Sequence, residues 1–238
     1  MYATGKGDNG SAAAARAIEL DANLAEAHAA KAGVLAAAGD YGAAEEELAV
    51  AMRLDPDSVD VMQEAARLHF MLKRYEKAAA SWDRYATLVE TDIASGGLLI
   101  TCYTALGDRA NVERVAQRTM ARAEKAVATD ADNGSAMATI FSCLLCLGET
   151  ERAKEWARRA VLIDPDNLGM RYNLACDFVV AVHDHDMALE MLRPVCRNSG
   201  HEQIAWIAAD PDMDPLRDDP RFKELVAEAE ARLATAQP

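Results

Sequence analysis

Residues 25–58 read AEAHAAKAGVLAAAGDYGAAEEELAVAMRLDPDS, and this stretch decides the fold. Two helix-length runs flank Gly39-Asp40-Tyr41, and the stretch closes on Asp55-Pro56-Asp57. Gly39 suits the left-handed position that ends a helix. The pattern predicts helices over about Ala25–Ala38 and Tyr41–Arg53, with Ala32, Ala44 and Ala51 where the paired helices approach closely. The same marks return along the chain. Ala32 recurs as Ala66, Ala44 as Ala78 and Tyr41 as Tyr75, each 34 residues on, while Ala51 answers Ala17 and Asp55 answers Asp21. Gly39 and Gly107 lie two periods apart. Gly39 and Gly148, like Pro56 and Pro165, are 109 apart, three periods plus seven.

A 34-residue helix–turn–helix period marks tetratricopeptide repeats. The chain resembles that family over nearly its whole length, because small residues, turn glycines and the closing Asp-Pro keep register together. The resemblance implies an all-α right-handed superhelix, an α-solenoid of antiparallel helix pairs. It also implies that the first helix of each pair lines a concave surface for a protein or peptide partner.

Composition agrees. Alanine, leucine, glutamate and arginine are plentiful and aromatics few, which favours helices. A formal charge of −14 argues against nucleic acid, which needs a basic footprint. No run approaches the length of a membrane span, and Met1–Gly5 lacks the charged start and apolar centre of a signal peptide. Five cysteines without framework spacing are read as reduced thiols of a cytoplasmic protein.

In chain order, residues 1–24 form a partial repeat: Asn9–Leu20 resembles a second helix whose first is missing, as in a fragment cut from a longer protein. Residues 25–200 hold about five repeats. The second, Val59–Asp92, replaces the turn glycine by Lys73 and a small residue by Tyr85. Its heavier Phe70, Trp82 and Tyr85 suggest wider helix spacing. The third carries a long helix, Arg109–Thr129, with a seven-residue extension near 119–126. Seven residues is close to two turns, about 10 Å, so the apolar face stays aligned and the last two turns are expected to project free of the following repeat. The fourth, Gly134–Asn167, is regular. The fifth has one residue too many in its turn, His183-Asp184-His185-Asp186, and Pro194 is expected to shorten or kink its second helix.

Residues 201–238 form a cap segment. Asp219 as N-cap and Pro220 as first helical residue start a last helix, to about Ala234. With Trp206, the run Asp210–Phe222 resembles the closing segment of repeat arrays at the C-termini of bacterial multidomain proteins, which often carry an adenylyl cyclase or Ser/Thr kinase signalling domain upstream.

No active site is assembled in the sequence, and no catalytic residue, cofactor or metal is expected. Gly5-Lys6-Gly7 is too short for a phosphate loop. Asp210, Asp212 and Asp214 begin like a calcium loop, but Pro215 and Arg221 break the pattern. Cys143/Cys146 has the spacing of a redox or zinc pair, set against the reading of small apolar residues on a buried helix. His183/His185 could hold a metal, set against a solvated turn. These pairs carry the enzyme alternative, and a self-assembly module is a further one, with homo-oligomers formed through the N-terminal helix. Arg114, Arg118, Arg122 and Lys125 share one face of the long helix, either as a solvated face or as a basic contact strip for an acidic partner or another domain of the parent protein; Lys154 and Arg158 make a similar pair. By register, the groove offers Gln63, Arg67, Phe70, Thr101, Thr104, Ser142 and Tyr172 to a partner. With Arg67 the only basic member and Glu64 beside it, a neutral or amphipathic helix fits better than an acidic tail.

Overall fold

The computed structural model describes residues 7–235, with side chains from residue 10. The expectations for Met1–Gly5 and for Gly5-Lys6 lie outside the described residues. The chain is an all-α solenoid of paired antiparallel helices that ends in a capping helix. It divides into two compact units, residues 1–115 and 116–238.

The first unit holds α1 (Gly7–Leu20), α2 (Ala25–Ala37), α3 (Tyr41–Leu54), α4 (Val59–Met71), α5 (Tyr75–Leu88), α6 (Ala94–Ala105) and the start of α7 (Arg109–Thr129). Helix α2 pairs with α3 and α4 with α5, while α2 also packs on α4, α1 on α2 and α5 on α6. The repeating small residues explain the pairing. Ala44, Ala51, Ala66 and Ala78 are wholly buried and Ala32 is 2% exposed, so backbones approach where no larger side chain fits. The first interfaces are built from alanine with Leu48, Val61 and Leu68. The next is heavier: Trp82, Tyr85, Leu99, Cys102 and Val115 pack together, and Phe70 lies edge-on to Trp82 at 5.5 Å.

Turns follow one plan. Gly39, Gly107 and Gly148 take φ of +83°, +69° and +79°, the left-handed conformation open to glycine without steric penalty. Lys73, in the corresponding place, is forced into the same conformation at φ +56°. Side-chain caps start the next helices: Asp40 accepts from the Ala43 amide and Asn133 from the Ala136 amide.

The second unit contains the rest of α7, then α8 (Gly134–Cys146), α9 (Thr150–Ile163), α10 (Leu168–Asp177), α11 (His185–Asn198), α12 (His201–Ala209) and α13 (Pro220–Thr235). Helix α7 is continuous over 21 residues, where α3, α5 and α9 each have 14. Within its last two turns the apolar i, i+4 spacing continues, and Ala123 and Val127 are buried. Helix α11 runs through Pro194 at the full 14 residues, so the proline does not shorten it.

The extra residue of the fifth repeat sits elsewhere than the turn. Residues Phe178–Val182 form a π-helical turn that continues α10 and ends at His183 with φ +57°. Widening one helical turn absorbs an inserted residue without breaking the register of α11. A 3₁₀ segment, Pro211–Leu216, packs on this π-turn and buries Met213 and Leu216 completely. Helix α13 closes the unit against α11 and α12. Asp219 caps it through the Arg221 amide, Arg221 reaches Asp186 at the start of α11 (2.7 Å), and Arg232 donates to the Cys196 and Ser199 carbonyls at its end. A cation placed on the last carbonyls of α11 also complements that helix's dipole.

Candidate functional site

In the second unit the first helices α8 and α10 leave a cavity of about 340 Å³ between them. Helix α8 presents Ser135, Thr139 and Ser142, spaced i, i+4, i+7 on one face, and α10 presents Met170 and Asn173. Asn167 joins the two sides: its Oδ1 caps the Met170 amide, while its Nδ2 donates to Ser135 Oγ (3.1 Å) and to Asp164 (2.8 Å). The Thr139 hydroxyl donates back to the Ser135 carbonyl at 3.1 Å, and the Ser142 hydroxyl donates to Asp177 at 2.5 Å. Asn173 is exposed, and its carboxamide has no hydrogen bond among the described residues.

Next to this face lies an acidic group, Asp177, Asp210 and Asp212, whose carboxyls have no ion pair among the described residues; Arg217 donates only to the Asp210 backbone carbonyl (3.0 Å). Burial pushes the Asp177 carboxyl above its ordinary range, against the Ser142 hydrogen bond, and Asp212 raises it further. Asp212 is itself raised by burial and by Asp210. The Tyr172 hydroxyl donates to Asp210, and the phenol is raised mainly by burial and by that bond. Burial pushes the Cys176 thiol up to about 12. Ligand atoms of Cys176, Asp210 and Asp212 lie within 4.8 Å of one another, a trio of metal-ligand type. Asp210 is already satisfied: Oδ1 caps the Asp212 amide and Oδ2 takes the tyrosine proton. Asp214 turns away to Arg217 at 2.5 Å, so the three aspartates do not converge as a calcium loop.

The first helices of the first unit are differently built. Gln63, Thr101 and Thr104 are exposed. Arg67 is exposed but ion-paired to Glu64 at 3.0 Å. Glu64 is half-buried because Gly33 on α2 leaves room for it: a Cβ there would stand 2.8 Å from its Oε2. Burial raises the Glu64 carboxyl, opposed by Arg67. Phe70 belongs mostly to the core, edge-on to Tyr75 and Trp82. Of the sequence-derived groove residues, Ser142 lines the cavity, while Tyr172 is tied to Asp210 beside it.

The remaining candidates separate. Arg114 pairs with Asp83 at 2.8 Å and lies over the Tyr103 ring, so the first member of the basic strip is committed within the fold. Arg118 and Arg122 are half-buried and Lys125 is exposed. Cys143 is buried and burial pushes its thiol up to about 12, far from the lowered values of redox-active pairs. His183 bonds the Val179 carbonyl, Asp184 caps α11 through Met187, and Asp186 holds Arg221, so the turn's side chains point to separate partners.

Thr139, Asn167, Asn173 and Asp177 were not among the sequence-derived site residues. The repeat itself carried the signal for two of them: Thr139 and Asn173 are one 34-residue period apart, on equivalent positions of successive first helices.

The protein-family model described as a tetratricopeptide repeat matches residues 35–86. The fold is of the tetratricopeptide type. Among solved structures, PilF of Pseudomonas aeruginosa is similar at TM-score 0.57 and 18% identity, over 82% of this chain and 86% of that one. YrrB, described as a TPR protein with an unusual peptide-binding site, is similar at TM-score 0.51 and 17% identity, over 92% and 98%. MamA is similar at TM-score 0.50 and 17% identity, over 68% and 90%. No curated protein sequence matches the chain. No helix among the described residues is long and apolar enough to cross a membrane.

Proposed function

We propose that the protein is a non-catalytic interaction scaffold whose first-helix face receives a segment of another protein. The observation that carries this is the cavity between α8 and α10, lined by small polar groups and bordered by the uncommitted carboxamide of Asn173. In this reading the contact residues are Ser142 and Tyr172 on the second unit and Gln63, Arg67, Phe70, Thr101 and Thr104 on the first helices of the first, each unit taken by itself, and the segment is a neutral or amphipathic helix. The peptide-binding site named for YrrB supports that mode of use by analogy. An acidic tail is disfavoured, since Arg67 is already paired with Glu64 and an incoming carboxylate meets like charge.

The resemblance of residues 210–222 to the ends of bacterial signalling proteins supports a finer reading, as the cytoplasmic regulatory part of a protein such as an adenylyl cyclase. An upstream reading frame without a catalytic domain would sink that part alone. Self-assembly through α1 is the second reading, favoured by Leu20 at 70% exposure; unchanged light scattering across a concentration series counts against it.

The central test titrates a neutral amphipathic peptide of leucine, alanine and glutamine and an acidic tail peptide against the protein, followed by amide NMR. The neutral peptide shifts first-helix resonances and the acidic tail does not. Micromolar binding of the acidic tail, abolished by Arg67→Ala, overturns the reading.

A further inference from the structure

We propose that the cavity between α8 and α10 is an anchor for a cationic side chain, the lysine or arginine of a partner segment. This deepens the reading of the first-helix face and rests on it. The argument is an account of protons. Lining hydroxyls and amides could present either donors or acceptors to a guest, but most of their protons are already committed inside the fold. Thr139 gives its proton to the Ser135 carbonyl and Ser142 gives its own to Asp177. The two amide protons of Asn167 go to Ser135 Oγ and Asp164. What remains for a guest is lone pairs on Thr139 Oγ, Ser142 Oγ and Asn173 Oδ1, with open protons only on the Ser135 hydroxyl and the Asn173 amide at the cavity's edge.

Charge points the same way. No lysine, arginine or histidine lines the cavity. Arg171, close by on α10, is buried and donates its Nε to the Pro165 carbonyl at 2.6 Å. Directly bonded to lining residues stand two carboxylates, Asp177 behind Ser142 and Asp164 behind Asn167. An ammonium offers three donors and no acceptor, which matches a site rich in lone pairs and backed by anions. A carboxylate guest would find donors at Ser135 and Asn173 alone, and would meet two like charges. A neutral amide could use Asn173 but would gain nothing from Asp177. About 340 Å³ accommodates one long side chain, whose methylenes would lie along Ala138, Met170 and Leu174.

The probes are three blocked amino acids at millimolar concentration: N-acetyl-lysine, N-acetyl-glutamine and N-acetyl-glutamate N-methylamides. The amides of Thr139, Ser142 and Asn173 are followed by NMR at low and at moderate salt. The lysine probe is expected to shift all three, less so at higher salt, with the glutamine probe weaker and the glutamate probe silent. Asp177→Asn, which keeps a hydrogen-bond partner for Ser142, should weaken the lysine probe about threefold to tenfold, as for loss of one partly screened charge. Thr139→Val removes an acceptor at nearly constant shape and should weaken it independently. Equal response to lysine and glutamine, or lysine binding undiminished in both variants, overturns the proposal. If the neutral amphipathic peptide binds this face without any gain from added lysine, the cation inference falls and the groove reading stands. If neither that peptide nor any probe moves the face, both fall.

Discussion

Replacing Gly134 by alanine should destabilise the protein, while the same change at Gly97 should stabilise it. Both are helical glycines, and helix propensity alone favours alanine by up to about 1 kcal/mol. The surroundings differ. At Gly97 in α6 a Cβ meets nothing within 4 Å, so the gain stands and Gly97→Ala should add about 0.5–1 kcal/mol. At Gly134, the first residue of α8, a Cβ would lie 2.5 Å from Asp164 Cβ, 3.1 Å from Met170 Sδ and 3.2 Å from Asp164 Oδ2. Carbon atoms rest at about 3.5–4.0 Å, so the start of α8 must move about 1 Å from the turn between α9 and α10. Asp164 cannot swing clear, because the clashing atom is its Cβ, one bond from the backbone. Overpacking of this kind costs about 1–3 kcal/mol, more than the first-turn propensity gain, leaving a net loss of about 1–2 kcal/mol. At roughly 2–4 °C per kcal/mol for a chain of this size, the Gly134→Ala melting point should fall by about 2–8 °C. Urea unfolding by circular dichroism reads the free energies. Hydrogen exchange at the Met170 amide, capped by Asn167, reads the local opening. A Gly134→Ala variant as stable as the parent, or a Gly97→Ala variant less stable, would refute the steric reasoning.

Lys73→Gly should stabilise the first unit by about 1 kcal/mol, because Lys73 occupies left-handed backbone at φ +56°; an unchanged urea midpoint argues against it. Asp177 has a folded pKa raised by burial, so its contribution to stability is full below the unfolded carboxylate pKa and is lost as pH rises through the folded value. Asp177→Asn should therefore match the parent near about pH 3 and exceed it in stability at neutral pH, by chemical denaturation; a variant less stable at neutral pH shows that the charge is compensated after all. Cys143, with its thiol pushed up to about 12, should resist iodoacetamide in the native state at pH 8 and react on unfolding, which mass spectrometry of the labelled peptide would read; rapid native labelling would restore the redox reading of the Cys143/Cys146 pair.

The sequence by itself determined the helix pairs, because they depend on local chemistry repeated at a fixed interval. Glycine at 39, 107 and 148 permits the left-handed turn, alanine at 44, 51, 66 and 78 permits close approach, and each can be read from one residue and its neighbour 34 away. Even the lysine at 73 was legible as a departure, and the fold drives it into the glycine's conformation. Two readings had to wait for the tertiary structure. A residue count shows that the fifth repeat is one too long, but a loop and a widened helical turn are locally close alternatives. Packing of Pro211–Leu216 on Phe178–Val182 accompanies the widened turn. The second is the state of the polar side chains. Arg67 and its partner Glu64 share one helix, so that pairing is legible three residues apart, but Ser142 and Tyr172 look equally available by register. Only the positions of Asp177 and Asp210, brought in from other segments, show that their protons are already engaged. A hydroxyl's chemistry toward a partner depends on where its hydrogen already goes, and that is set by distances across the fold rather than along the chain.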